Sequence, residues 1–316
     1  MDNLTHSLVG ALIGQTGLKR KTGLAMPALI IGANLPDVDA ACFLWLDGVE
    51  HLGFRRGITH GPPALLLLPL VLAGLLYGFD RWQAKRGTRP PARLPVSFKW
   101  LYLLAFIACL THPALDWLNV YGIRLLMPFS DRWFYGDTLF IIDIWLWALL
   151  GFATWFSLRR ERQGGNWVRP ARVALTVACG YILINGFITR DAERMRLMDA
   201  HYAHTIAAPV PLFFWKRQLI FPNQEGNHSL IDNYSGPGEG RLNVRRLGGV
   251  TLADCRLSNA AERDPQVRAF LVWSRVPFVE YRRDGLWLRD ARFADPNIGD
   301  RFAVRLPEGT CDVFFR

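Results

Sequence analysis

A chain of 316 residues that is 51% hydrophobic and 13% aromatic, with a mean hydropathy of +0.11, is too apolar for an ordinary soluble protein and too polar for one lying wholly in a bilayer. The net charge of +10 raises nucleic acid as a partner, but the basic residues sit between apolar segments, where they act as topology determinants, so nucleic acid is set aside. Five cysteines without a Cys-x-x-Cys spacing exclude a zinc ribbon and a thioredoxin-type redox site.

The first residues do not read as a signal peptide, since no basic residue precedes the apolar run and no small-residue cleavage site follows it. Leu4, Leu8, Val9, Leu12 and Ile13 predict a helix with His6 near its start. Lys19-Arg20-Lys21 interrupts, and Thr22 to Leu35 forms a second short apolar segment closed by Pro36. Both are short for a span of about 20 residues, so a tilted or re-entrant hairpin is expected. Ala40 to Arg56 is mixed and reads as interfacial, anchored by Trp45 and Phe54.

Four longer segments follow at Ala64–Phe79, Trp100–Trp117, Leu139–Leu158 and Val173–Ile188, giving about four full spans beside the hairpin. The loop from Arg81 to Lys99 is basic without an acidic residue, and Arg159, Arg160, Arg162, Arg169 and Arg172 make a second basic loop. The positive-inside rule assigns both, with Lys19-Arg20-Lys21, to the cytoplasm. The same walk gathers His6, Asp37, Asp39, His60, His112, Asp116, Asp137 and the C-terminal part on the opposite side.

From about residue 190 the character changes. Phe270-Leu271-Val272-Trp273, Val279-Glu280-Tyr281 and Arg301-Phe302-Ala303-Val304 read as strands between turns such as Asn233 to Gly238, hence a small β-rich (α+β) soluble domain. Asp191 to Thr205 reads as a helix with His201 and His204 three apart, and His228 falls in a polar loop. Cys255 and Cys311 are placed to pair if this part faces an oxidising compartment. The expected organisation is therefore an α-helical membrane domain, 1–189, followed by a soluble domain, 190–316.

The chemistry concentrates in the first part. His112 and Asp116 lie four apart on one helical face inside an apolar segment, where ionisable groups are costly without a partner. A divalent cation is such a partner, because neutral imidazole and carboxylate both coordinate zinc. Thr-His recurs at Thr5-His6, Thr59-His60 and Thr111-His112, each before an apolar run, and Asp37 and Asp39 close another. In this set Asp39 or Asp137 serves as a general base, Arg55 and Arg56 hold a phosphate or snorkel at the interface, and Asp143 orients a ligand histidine or packs helices. Thr59 and Thr111 stand beside ligand histidines and are expected to orient them.

Thr5-His6-Ser7-Leu8-Val9-Gly10, Leu35-Pro36-Asp37-Val38-Asp39, Arg56-Gly57-Ile58-Thr59-His60, His112-Pro113-Ala114-Leu115-Asp116 with Tyr121-Gly122, and Pro128-Phe129 through Asp137 to Asp143 together resemble the motif series of the LexA-binding, inner-membrane-associated, metal-dependent hydrolases. That family is itself distantly similar to the zinc-dependent phospholipase C and nuclease group. The resemblance implies His6, Asp37, Asp39, His60, His112 and Asp116 as ligands to one or two divalent ions, zinc by preference. It departs at Phe54-Arg55, where many members carry a histidine. It further implies hydrolysis of a phosphoester at a bacterial inner membrane; the interfacial position of the site suits a lipid or lipid-linked substrate, the charge pattern turns the site and the soluble domain to the periplasm, and the soluble domain is available to a protein partner. The competing expectations are a non-enzymatic scaffold with a structural metal, and a transporter.

Overall fold

The computed structural model describes residues 1–194, 205–223, 228–236, 244–294 and 299–312. They form two compact units, Met1–Val38 with Arg56–Gly186, and Asp39–Arg55 with Phe187–Arg316.

The first unit is helical. α1 (Asn3–Gln15) starts where the Asp2 carboxylate accepts the backbone N–H groups of Leu4 and Thr5, a cap worth about 1 kcal/mol. α2 (Ala25–Gly32) is followed by a 3₁₀ stretch, Leu35–Leu44, bent from it by 55°. After the short α3 (His51–Phe54) of the second unit come α4 (Pro62–Lys85), α5 (Phe98–Trp117), α6 (Ile144–Arg162) and α7 (Val168–Ala192).

Among the described residues three helices, α4, α5 and α7, are long and apolar enough to cross a membrane, or four if α2 and its bent continuation are counted as one span. The segment expected over Leu139–Leu158 is displaced: its helix begins at Ile144 and runs on to Arg162. Asp143 caps α6 at Ile144 by accepting from Trp145 and Leu146, while Thr138 and Leu139 are held in a loop by the Leu118 carbonyl. At the other end Arg159, Arg160, Glu161 and Arg162 occupy its last turn. α4 keeps Leu66, Leu67, Val71 and Leu75 more than half exposed, the pattern of a helix whose outer face meets lipid.

In lipid there is no hydrophobic drive between helices, so close approach falls to small residues. A Cβ on Gly10 would lie 2.5 Å from the Leu29 carbonyl oxygen, and one on Gly32 would lie 2.9 Å from that of Ala105. These glycines let α1 press on α2 and α2 on α5. Alanines continue the pattern, with Ala28, Ala33, Ala73, Ala105 and Ala108 buried in one core between α2, α4 and α5.

The second unit holds two antiparallel sheets. β1 (Ile206–Pro209), β2 (Arg217–Phe221), β3 (His228–Tyr234) and β4 (Val244–Leu247) form one in sequential order. β5 (Pro277–Arg282), β6 (Gly285–Asp290) and β7 (Ala303–Arg305) form the other. Alternation in the first sheet sends Ile206, Ile220 and Leu230 into a core with Val276 and Phe278, and Ala207, Leu219, Phe221 and Ile231 into a second core with Ala192. Both faces are thus covered.

α8 (Leu257–Arg263) and α9 (Pro265–Trp273) precede the second sheet. Phe270 to Trp273, expected as a strand, is the end of α9, because Asp264 accepts from Gln266 and Val267 and Pro265 fills the first helical position. His228 is not in a loop but opens β3, where Nδ1 accepts from the Asn223 N–H and Nε2 meets the Pro277 carbonyl at 2.8 Å. Burial lowers its pKa, which fits this structural role. His201 and His204 lie outside the described residues. Cys255 and Cys311 form a disulfide. The Asp39–Arg55 segment belongs to this unit because Gly53 lies against the Ala269 backbone and the Val49 N–H donates to Gln266.

Candidate metal centre

The helical unit brings four of the expected ligands into full burial: His6, His60, His112 and Asp116 are each 0% exposed. His6 comes from the first turns of α1 and His112 and Asp116 from the last turns of α5. His60 ends the 3₁₀ turn before α4, and Asp37 follows α2 in the bent 3₁₀ stretch. The turn carrying His60 is seated by a close approach, since a Cβ on Gly61 would meet the Met127 carbonyl oxygen at 1.8 Å.

The ligand-capable atoms fall into two overlapping groups, His6 with Asp37 and His112, and His60 with His112 and Asp116; within each, all lie within 4.8 Å of one another. His112 Nε2 is 3.8 Å from Asp37 Oδ1 and 3.6 Å from Asp116 Oδ2. His60 Nε2 is 3.7 Å from Asp116 Oδ2, and His6 Nε2 is 3.5 Å from Asp116 Oδ1. These separations are long for hydrogen bonds. They approach the ~3.4 Å that two ligands keep when each is ~2.1 Å from a shared tetrahedral ion.

The unsatisfied atoms point the same way. Both ring nitrogens of His6 and Nε2 of His112 are buried without a hydrogen-bond partner, a cost of about 1–3 kcal/mol each if nothing meets them. His112 Nδ1 lies 2.7 Å from the Ala33 carbonyl, an acceptor that holds the ring proton on Nδ1 and leaves the Nε2 lone pair for a cation. His60 Nδ1 lies 3.0 Å from Thr59 Oγ1, a contact that orients the ring. The His6 and His112 rings stack with centroids 3.8 Å apart. Donor set, orphaned nitrogens and oriented imidazoles together fit a divalent cation.

Arg56 is the residue whose role sequence reasoning missed. Buried, and in the left-handed region at φ 54°, it sets Nε 3.0 Å from Asp116 Oδ2 and Nη2 3.1 Å from Oδ1. Nη1 donates to Asn119 Oδ1 and to the Gly122 carbonyl, and Tyr121 lies under the guanidinium at 4.4 Å. The fork therefore fixes a ligand carboxylate. Asn119, three residues after Asp116, was not singled out, though that spacing puts it beside Asp116 at the end of α5. The Met1 amino group also contacts Asp116 Oδ1.

Other expected residues are placed differently. Asp39 and Arg55 belong to the second unit and pair with each other at 3.3 Å, and neither ligand group includes Asp39. Asp137 is buried at φ 45° and is likewise in neither group. Among its described contacts Asp143 caps α6 and accepts from the Tyr181 hydroxyl at 2.9 Å and reaches no histidine, because α6 begins just after it. Thr111 does not orient His112 through a described bond; its hydroxyl turns back to the Ala108 carbonyl at 2.6 Å, the usual bond of a mid-helix threonine.

Comparison with known proteins agrees with the membrane reading. Residues 1–192 match the model of the family described as YdjM inner membrane protein. The chain is 29% identical to the Bacillus subtilis (strain 168) protein named "Uncharacterized protein YfhP" over 299 residues, which cover 87% of this chain and 80% of the relative. No solved structure matches. With a family match over more than half its length and several apolar helices around a buried histidine–aspartate cluster, the chain belongs to the YdjM inner membrane protein family and is a multi-pass inner membrane protein.

Proposed function

We propose that this protein is a membrane-embedded, metal-dependent hydrolase acting on a phosphoester in a lipid or lipid-linked substrate. The observation that carries the reading is the convergence of three fully buried imidazoles and two aspartates from separate elements, with imidazole nitrogens left for a cation. Because His112 has only its Nε2 lone pair to offer and belongs to both groups, the two groups would surround one shared ion, held by His112 with donors drawn from His6, Asp37, His60 and Asp116. When bound, a cation such as zinc supplies Lewis-acid polarisation of a phosphoryl oxygen and acidifies water.

The chain's own residues do the rest. Arg56 holds Asp116 in position, the Ala33 carbonyl sets the His112 tautomer, and the Thr59 hydroxyl orients the His60 ring. Asp137, between a glycine and a threonine in the α5–α6 loop of the same unit, is assigned as the proton acceptor. The disulfide in the second unit supports an oxidising, extracytoplasmic location for that domain, and the basic loops after α4 and α6 support the matching orientation.

One observation favours the scaffold alternative. With His6, His60, His112 and Asp116 all fully buried and Asp116 charge-paired to Arg56, the cluster is as closed as a structural metal site. Purified protein in nanodiscs, prepared without chelator, separates the readings. Hydrolysis of a phosphodiester lipid that chelator abolishes, zinc restores and Asp37→Asn removes is the expected result. Tightly held metal with no turnover of any phosphoester lipid would establish the scaffold and sink the hydrolase.

A further inference from the structure

The connection between β1 and β2 is unlike an ordinary turn. Val210-Pro211-Leu212-Phe213-Phe214-Trp215 is apolar throughout, and Lys216 is the first polar side chain before β2 begins at Arg217. Strand connections in water draw on glycine, asparagine, aspartate and serine, which supply turn geometry and meet solvent. Here the Lys216 N–H closes a turn onto the Phe213 carbonyl at 2.8 Å, and Leu212 stands at φ 67°, a region that leucine rarely occupies. The turn leaves Leu212 55% exposed, Phe213 41% and Trp215 42%. The Trp215 ring meets Phe213 and Phe214 edge-on, with centroids 5.5 and 5.1 Å away, so the cluster is preformed. An apolar tip of this kind is the mark of a surface that meets a partner or a membrane.

The second unit ties this tip to the end of a span. Arg217 is buried and braces the loop: Nη1 donates to the carbonyls of Phe214 and Lys216, while Nε donates to Thr189 Oγ1 at 2.9 Å. Thr189 lies on α7 where the apolar run of that helix gives way to the exposed charges of Arg190 and Asp191, the transition expected at headgroup level. Phe187, two residues earlier, is 71% exposed and lines the same cavity as Trp215, so the cluster continues the lipid-facing surface of α7. The Lys216 ammonium lies 5.2 Å from the centre of the Phe213 ring, as for a lysine whose stem follows apolar surface while its charge stays among the headgroups.

We infer that Leu212, Phe213 and Trp215 insert into the bilayer leaflet at the C-terminal end of α7, an aromatic foot that holds the second unit against the membrane surface. The partner is the interfacial zone of the lipid. This role is independent of the metal cluster.

Spin labelling of the full chain in vesicles of phosphatidylethanolamine and phosphatidylglycerol tests this. Cys179→Ser removes the exposed free thiol, Cys42 and Cys109 being buried, and one reporter is then placed by Leu212→Cys, Phe187→Cys or Glu262→Cys. All three positions are exposed; Phe187 on α7 calibrates lipid and Glu262 on α8 calibrates water. At Leu212, collisions with oxygen, which concentrates in lipid, should exceed those with a water-soluble nickel chelate, as at Phe187 and opposite to Glu262. Adding Phe213→Asp and Trp215→Asp should reverse that order, because carboxylates resist entry into the apolar zone. Nickel access at Leu212 equal to that at Glu262 would overturn the foot, and so would an order that the two aspartates leave unchanged. A Leu212 label shielded from both reagents and broadened by a neighbouring label would overturn lipid as the partner and assign the tip to a second copy of the chain.

Discussion

Removal of the His112 imidazole is the perturbation with the sharpest expected outcome, because Nε2 of that ring belongs to both ligand groups. In His112→Ala each group of three falls to two. In His6→Ala the group of His60, His112 and Asp116 stays whole, and in His60→Ala the group of His6, Asp37 and His112 does. Loss of a ligand should weaken metal binding by more than the ~10–100-fold that losing an orienting partner costs. Zinc per chain is measured after chelator-free purification and equilibrium dialysis against buffered zinc, with thermal unfolding of each variant alongside. The expectation is zinc near background in His112→Ala, and intermediate, retained zinc in both other variants. A folded His112→Ala protein holding as much zinc as the native chain, or His6→Ala and His60→Ala losing as much as His112→Ala, would refute a shared His112 at the centre of the cluster.

Arg56→Lys keeps the charge but loses the fork onto Asp116, while Arg56→Ala leaves a buried carboxylate without its cation; the alanine variant should be destabilised by about 3–5 kcal/mol and the lysine variant by less, and identical melting curves for all three proteins would contradict the pairing. Asp290 is buried, which alone would raise its pKa, but Arg292, the Ser274 hydroxyl and the Val276 N–H bring it down from 3.8 to about 2. Because the folded value lies below the unfolded one, Asp290 contributes about 2 kcal/mol above pH 4 that is lost as pH falls through 4 toward 2. Tryptophan fluorescence of acid unfolding should show Asp290→Asn less stable than native near neutrality and the two converging near pH 2; a constant gap would contradict it. The Cys255–Cys311 disulfide, with 56 residues of separation, should contribute about 4 kcal/mol, so reductant or Cys311→Ser should lower the melting temperature of the second unit. An alkaline phosphatase fused after residue 316 should be active in cells, and inactivity would place this domain in the cytoplasm.

What the sequence determines by itself is local. The four-residue spacing of His112 and Asp116 puts both on one face of any helix, and apolar runs at residues 64–79 and 100–117 are long enough to be spans whatever surrounds them. Asp264-Pro265 in fact marks α9, which β-rich composition at Phe270 to Trp273 concealed: a strand and a buried helix end share the same apolar run, and only the cap distinguishes them.

Tertiary structure alone decided which charged residues meet. Asp37 and Asp39 are two residues apart and chemically equivalent in sequence, yet Asp37 faces His112 while Asp39 pairs with Arg55 in the other unit. Arg55 and Arg56 are adjacent, and only Arg56 grips Asp116. Those outcomes rest on backbones approaching at Gly10 against Leu29 and Gly32 against Ala105, and on a chain reversal that carries Arg56 to φ 54°. Contacts made across the fold are set by the path of the backbone, and no local pattern of side chains encodes that path.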